Sequence, residues 1–273
     1  MAKTQADKAR AFQALHRRSG AFVIPNPWDV GSARIMAAQG FAALATTSLG
    51  MALSLGKRDG GVSRDDALAH CRMIVGATDL PVSADLENCF GDDPKTVAET
   101  MRLAAETGLA GASVEDASAA PGNPIYDFGL AVERVAAAVE AVRGLPFPFT
   151  ITARAENFLR GKPDLDDTIK RLQAFEKAGA DVLYAPLLPD IAAVRTVCKS
   201  VSKPINALAG RPQLSVAELT EAGVKRISLG GLLSRVALGA FLRALGEIKE
   251  RGTFTFAKEA AAMGKLSKMM AGD

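Results

Sequence analysis

Two apolar runs in this chain stop on acids. Pro81-Val82-Ser83-Ala84-Asp85-Leu86-Glu87 reads as a buried strand ending in two carboxylates, and Gly111-Ala112-Ser113-Val114-Glu115-Asp116 repeats the design one strand–helix unit later. Packing gives no reason for bare carboxylates at the end of a buried strand, because an unpaired buried charge is costly. A divalent cation held between the two strand ends removes that cost. Ligands that are all oxygen suit Mg²⁺ or Mn²⁺. Such an ion would act as a Lewis acid on an enolate, and an arginine nearby would pair with a carboxylate or phosphoryl group of the same ligand.

Acids can converge in this way only on a scaffold that brings several strand ends together. Strands are predicted at Ala21–Ile24, Phe41–Ala45, the runs ending at Asp85 and Glu115, Phe149–Ala153, Val182–Tyr184, Pro204–Ala207 and Arg226–Leu229. Between them lie helical patterns over 5–18, Val30–Gln39, from Ser63, Lys95–Thr107, Leu130–Val142, Asp166–Ala178, Ile191–Ser200, Val216–Ala222 and Leu232–Glu250. Thr46-Thr47-Ser48-Leu49-Gly50-Met51 is expected as a small-residue loop. Gly40, Gly108, Gly179 and Gly223 each stand where a helix needs a left-handed last residue before a strand begins. Apolar strands alternating with amphipathic helices imply a parallel sheet covered by helices. Eight such units imply a (β/α)₈ barrel, with a doubly wound open sheet as runner-up. No linker divides the chain, so 1–273 reads as one domain. Its last part, about 252–273, adds an Ala-, Lys- and Met-rich helix over Ala257–Met270. That helix is expected to pack on its own barrel or on a partner subunit.

The composition is 48% hydrophobic and 23% charged, with a formal net charge of +3 and both signs interspersed. With 5% aromatics and no basic run, nucleic-acid binding has no footing. No apolar run reaches the roughly 18 residues of a membrane span. The N-terminus lacks the apolar stretch of a signal peptide, so a cytoplasmic location is expected. Cys71, Cys89 and Cys198 are too scattered for a disulfide framework or a zinc site.

In a barrel, polar residues at the C-terminal strand ends face the active site. Here they are Thr46, Thr47, Ser48, Asp85, Glu87, Glu115, Asp116, Arg154, Glu156 and Asn206, and Asp59 sits in a Gly-rich loop that can fold over the same mouth. Tyr126, in the loop Ala117–Tyr126, joins Tyr184 and Glu156 as a candidate for proton transfer. Cys89 is expected to be inert, and His16 and His70 lie on outer helices. Ser228-Leu229-Gly230-Gly231 is a competing signal, similar to the phosphate cradle of many barrels.

On Thr47-Ser48-Leu49-Gly50-Met51, Leu55-Gly56 with Asp59, Ser83-Ala84-Asp85-Leu86-Glu87, Ser113-Val114-Glu115-Asp116 and Ile151-Thr152-Ala153-Arg154, the chain resembles the isocitrate lyase/phosphoenolpyruvate mutase superfamily over essentially its whole length. The resemblance implies a barrel whose last helix is exchanged between subunits, in a homodimer or homotetramer. It implies Mg²⁺ bound directly by Asp85, with Asp59, Glu87 and Glu115 holding it largely through waters. Thr47, Ser48 and Leu49 would offer backbone and hydroxyl groups to a 2-oxo acid, and Arg154 would bind its far carboxylate.

The departures are equally specific. The isocitrate and methylisocitrate lyases carry a Lys-Lys/Arg-Cys-Gly-His loop whose Cys is the catalytic acid, whereas Asp116–Tyr126 contains no Cys, Lys or His. This counts against those two activities. Phosphoenolpyruvate mutase uses a loop Lys and Asn and a strand-six His. Here Val182-Leu183-Tyr184-Ala185-Pro186 lacks that His and also the Glu of the lyases, and Asn123 alone stands in for the loop Asn. The metal half of the site is intact and the proton-transfer half is not the familiar one. Tyr184 and Asn206 remain as residues for the ligand. The expected function is a Mg²⁺-dependent lyase that cleaves a C–C bond of a small 2-oxo or 2-hydroxy dicarboxylate through a metal-bound enolate, like oxaloacetate decarboxylase or methylisocitrate and dimethylmalate lyases. The alternatives are P–C chemistry, as in phosphonopyruvate hydrolase or the mutase, and a non-catalytic metabolite-binding barrel.

Overall fold

The structure is a computed structural model and describes residues 3–118, 122–210 and 214–271. Eight strands form one parallel sheet: β1 (Phe22–Ile24), β2 (Leu44–Ala45), β3 (Val82–Ala84), β4 (Gly111–Glu115), β5 (Thr150–Arg154), β6 (Val182–Tyr184), β7 (Ile205–Leu208) and β8 (Arg226–Ser228). Each strand from β2 to β7 pairs with the next in sequence, and β1 pairs with β8, Phe22 opposite Arg226. At the last seam the Ala45 N–H donates to the Pro25 carbonyl at 3.1 Å, joining β2 to the end of β1. The result is a nearly closed (β/α)₈ barrel. Glu115 lies opposite Arg154, and Arg154 opposite Tyr184, so an acid, a guanidinium and a phenol share one layer at the C-terminal end.

The helices are α1 (Gln5–Arg17), α2 (Val30–Ala38), α3 (Ser48–Ser54), α4 (Arg64–Gly76), α5 (Pro94–Ala105), α6 (Phe128–Val142), α7 (Leu165–Lys177), α8 (Ile191–Ser200), α9 (Val216–Glu221), α10 (Leu232–Arg251) and α11 (Met263–Ala271). The four glycines expected between helix and strand are all left-handed, from φ 83° at Gly40 to φ 105° at Gly223. The apolar core lies between strands and helices, where Ile74, Met101, Ile151, Leu172 and Phe175 are fully buried. Among the described residues no helix is long and apolar enough to cross a membrane.

The barrel interior has a different character. Alternate strand residues Ser83, Ser113, Thr152, Tyr184, Asn206, Arg226 and Ser228 line a small internal cavity of about 50 Å³. Branched aliphatics are the usual filling at such positions. Buried Arg226 donates from Nε to Asn206 Oδ1 (2.9 Å) and from Nη2 to Thr152 Oγ1 (3.0 Å), while Nη1 has no hydrogen-bond partner among the described residues.

Three expectations need correction. Strand two is only Leu44–Ala45, and the expected loop after it is largely helix α3, because the Thr47 hydroxyl accepts from the Gly50 N–H at 3.3 Å and caps it. The tail is not one helix over Ala257–Met270 but a 3₁₀ turn (Thr255–Glu259) followed by α11. Neither piece buries a residue, and alanine propensity alone does not hold so short a helix together. The α11 segment returns to its own chain, where Arg34 Nη1 of α2 donates to the Met270 carbonyl at 2.5 Å. The long α10 leaves Val236, Phe241 and Leu242 exposed.

Candidate active site

The site is assembled where β2, β3, β4 and β5 end. Thr46 Oγ1 accepts the Asp85 N–H at 2.9 Å, which pins the end of β3 to that of β2. Asp85 Oδ2 in turn accepts the Ser48 N–H at 3.1 Å, placing the carboxylate at the first residue of α3. Its Oδ1 faces Arg154 Nη1, also at 3.1 Å. The same Nη1 is 2.6 Å from Glu115 Oε1, and Arg154 Nε donates to Glu156 Oε1 at 2.9 Å. One guanidinium therefore binds three carboxylates at once, with its centre 4.9 Å from the Tyr184 ring centroid. Arg160, which no strand-end pattern marks in the sequence, adds Nη2 at 3.6 Å from Glu115 and Nε at 3.8 Å from Glu156.

This crowding decides the charge states. Burial would lower the Arg154 pKa, but Glu115, Glu156 and Asp85 around it raise it well above the usual value. Glu115 is held well above the carboxylate range by burial, against the pull of Arg154. Burial, and then the neighbouring Asp85 and Asp59, push Glu87 up to about 7. Tyr184 is pushed up to about 12, chiefly by burial, so its phenol keeps its proton at neutral pH.

These residues fit Mg²⁺. The carboxylates outnumber the guanidiniums, and Glu87 Oε1 is buried with no hydrogen-bond partner among the described residues. Among the described residues the acids do not form a ready cage of three or more ligands. Mg²⁺ suits that arrangement, since it commonly keeps several waters and takes only one or two carboxylates directly.

Glu87 is set by an unusual loop. Glu87, Cys89 and Phe90 all have left-handed backbone, φ 52°, 60° and 62°, each costing about 1–3 kcal/mol. Arg134, buried in α6, holds the loop by donating to the Asn88, Gly91 and Asp92 carbonyls at 2.5–2.6 Å. Nothing in the sequence marks this arginine, which follows Glu133 in a helix pattern where a charged pair reads as the solvated face.

Tyr126 belongs to the same clamp. Its ring lies 4.2 Å from the Arg134 guanidinium; its hydroxyl donates to Asp92 Oδ1 at 2.5 Å and accepts from Asn88 Nδ2 at 3.0 Å. The loop that carries it is a short flap: Ala117 bridges Ile125, and Arg171 Nη1 fastens its base at Asp116 Oδ2 (3.0 Å) and the Tyr126 carbonyl (2.9 Å). Asp116 also accepts the Glu156 N–H at 2.7 Å, and burial pushes its carboxyl up to about 6. Asn123 is exposed on the flap, and residues 119–121 of the loop lie outside the described residues.

Two cavities open at this end. One of about 650 Å³ is lined by Glu87, Asn88, Glu115 and Arg160; the other, of about 380 Å³, by Thr47, Ser48, Leu49, Asp59, Asp85, Arg154, Tyr184 and Asn206. Asn206 lies on the floor, with Nδ2 donating to Ser228 Oγ at 2.9 Å. Tyr126, Asn123 and Glu156 line neither cavity. The Ser228–Gly231 turn is no open phosphate cradle, because Asn26 Oδ1 already accepts the Leu229 and Gly230 N–H groups at 2.8 and 2.9 Å.

The family model described as phosphoenolpyruvate phosphomutase matches residues 12–249, and the chain belongs to this family, within the isocitrate lyase/phosphoenolpyruvate mutase superfamily. The 2-methylisocitrate lyase of Escherichia coli K12 is 30% identical over 206 residues, covering 72% of this chain and 68% of that protein. A crystal structure from Burkholderia cenocepacia J2315 is 55% identical with a TM-score of 0.95, covering 98% of this chain and 96% of its own. A 2,3-dimethylmalate lyase is 26% identical with a TM-score of 0.85, covering 96% and 94%. In fold alone the chain is also like an oxaloacetate acetylhydrolase solved with oxalate, at 22% identity, and a phosphonopyruvate hydrolase solved with oxalate and Mg²⁺, at 19%.

Proposed function

We propose that this chain is a Mg²⁺-dependent lyase that cleaves a C–C bond of a 2-oxo or 2-hydroxy dicarboxylate, one fragment departing as an enolate. The observation that carries the reading is Arg154, held by Asp85, Glu115 and Glu156 at the wall of a cavity where α3 begins. Asp85 would hold the ion directly, with Asp59, Glu87 and Glu115 holding it through water. When bound, the ion supplies Lewis-acid stabilisation to negative charge developing on a substrate oxygen.

The chain's own residues do the rest. Arg154 pairs with a substrate carboxylate in a geometry its three acids have already fixed, so little is lost in ordering it. Thr47, Ser48 and Leu49 present the first turn of α3 to the 2-oxo acid end. Tyr184, protonated and facing the same cavity, is the proton donor to the carbon of the departing enolate, and the proton released from a 2-hydroxyl as its carbonyl forms returns the phenol to its acid form through solvent. Glu156 orients Arg154, and Tyr126 positions the Glu87 loop rather than touching substrate. Asn123, exposed between Ala117 and Tyr126, is the loop's amide candidate for a ligand contact.

The test is turnover with Mg²⁺ of oxaloacetate, 2-methylisocitrate, 2,3-dimethylmalate and phosphonopyruvate. Cleavage of oxaloacetate or 2,3-dimethylmalate is expected, and 2-methylisocitrate serves as the contrast for the missing Cys loop. Turnover of phosphonopyruvate alone assigns P–C chemistry instead, and oxalate binding without any turnover assigns a metabolite-binding barrel.

A further inference from the structure

The 380 Å³ cavity has two unlike halves. One is polar, made by Ser48, Asp59, Asp85 and Arg154. The other lies toward β6, β7 and β8 and is walled by Leu187, Leu188, Leu208, Leu214, Leu229 and Leu232. Not all of this leucine surface serves the fold: Leu187 is 43% exposed and has left-handed backbone at φ 59°, and Leu159, across the same cavity, is 40% exposed. Apolar surface left facing water beside a charged site gains stability when an apolar group covers it.

We infer that the ligand carries an apolar branch of several carbons beside its 2-oxo or 2-hydroxy acid head, and that Leu187, Leu208 and Leu229 receive this branch. The inference rests on the proposed function for the placement of the head at Asp85 and Arg154. Leu187-Leu188 directly follows the strand-six end Tyr184-Ala185-Pro186, so the sequence there offers a wall of aliphatic side chains next to the phenol. Arg235 lines the outer edge of this half and is exposed. A branch ending in a second carboxylate is therefore the competing occupant that the experiment must separate.

The experiment is calorimetric titration of the Mg²⁺-loaded protein with oxamate and its N-alkyl derivatives from methyl to hexyl. These keep a 2-oxo acid head that the site cannot cleave. Affinity is expected to rise about threefold to fourfold per methylene until the leucine half is filled, the factor for burying one CH₂. Leu187→Asn, a residue type that tolerates left-handed backbone, should reduce the hexyl-to-methyl affinity ratio several-fold. Oxamate binding that does not change with chain length overturns the inference and leaves the proposed function standing. So does a carboxyl-terminated chain that binds more tightly than its alkyl counterpart. If neither oxamate nor any derivative binds in the presence of Mg²⁺, the proposed function itself falls, and the inference with it.

Discussion

Replacing Glu87 by glutamine should make the metal-free protein more stable at alkaline pH and less responsive to Mg²⁺. Burial and the neighbouring acids raise Glu87 from its usual 4.5 to about 7, so the folded state prefers the protonated form. A raised carboxyl contributes stability that is fully present below pH 4.5 and is lost as pH rises through 7. A shift of that size corresponds to roughly 3 kcal/mol. Discounted for a carboxylate only partly withdrawn from water, it leaves on the order of 1–2 kcal/mol. Glutamine has the same shape and no charge to bury. At pH 8 without metal, Glu87→Gln should therefore melt about 5 °C above the parent, taking roughly 2–4 °C per kcal/mol for a chain of this size. The gap should close near pH 4.5. Added Mg²⁺ should raise the parent's Tm at pH 8, by mass action on the folded state, and should raise the variant's by less. Two results would refute the reasoning. Equal melting temperatures at pH 8 would show that Glu87 carries no burial strain, and equal Mg²⁺ responses would place the ion away from it.

Two further outcomes are expected. Arg134→Met leaves the Asn88, Gly91 and Asp92 carbonyls without their donor, at about 1 kcal/mol each, so urea unfolding should show a loss of about 3 kcal/mol together with weaker Mg²⁺ binding. Unchanged Mg²⁺ affinity in a destabilised variant would limit Arg134 to a purely structural role. The second concerns α10, whose Val236, Phe241 and Leu242 are 61%, 57% and 66% exposed. Such a face suits exchange of this helix between subunits, so light scattering should find a homodimer or homotetramer that Phe241→Asp shifts toward monomer. A monomeric parent would rule the exchange out.

Much of the architecture could be read from local pattern alone. The Gly-punctuated alternation gave eight units because a left-handed helix end and an apolar run are both short-range signals. The strand-end acids stood out because their burial contradicts their polarity, and the structure brings Asp85, Glu115 and Arg154 within ion-pair reach. What stayed hidden was long-range. Arg134 acts across 42 to 46 residues of sequence on backbone carbonyls, which leave no pattern in residue types. Tyr126 was visible as an aromatic in a loop, but only the fold shows its hydroxyl meeting Asp92. Thr47 is the reverse case: its capping role was present in Thr47-Ser48-Leu49-Gly50, yet small residues read as loop until the hydroxyl is seen to accept the Gly50 N–H.

The polar barrel interior bears on how this fold is divided between stability and chemistry. The strand–helix layer, with Ile74, Met101, Leu172 and Phe175, supplies the apolar surface removed from water. The interior, with Arg226, Thr152 and Asn206, supplies little. Unfolding exposes those hydroxyls, amide and guanidinium along with the aliphatic layer, and hydration of polar groups lowers the heat capacity that apolar groups raise. The stability curve of this barrel is therefore flatter with temperature than that of one filled with valine and isoleucine.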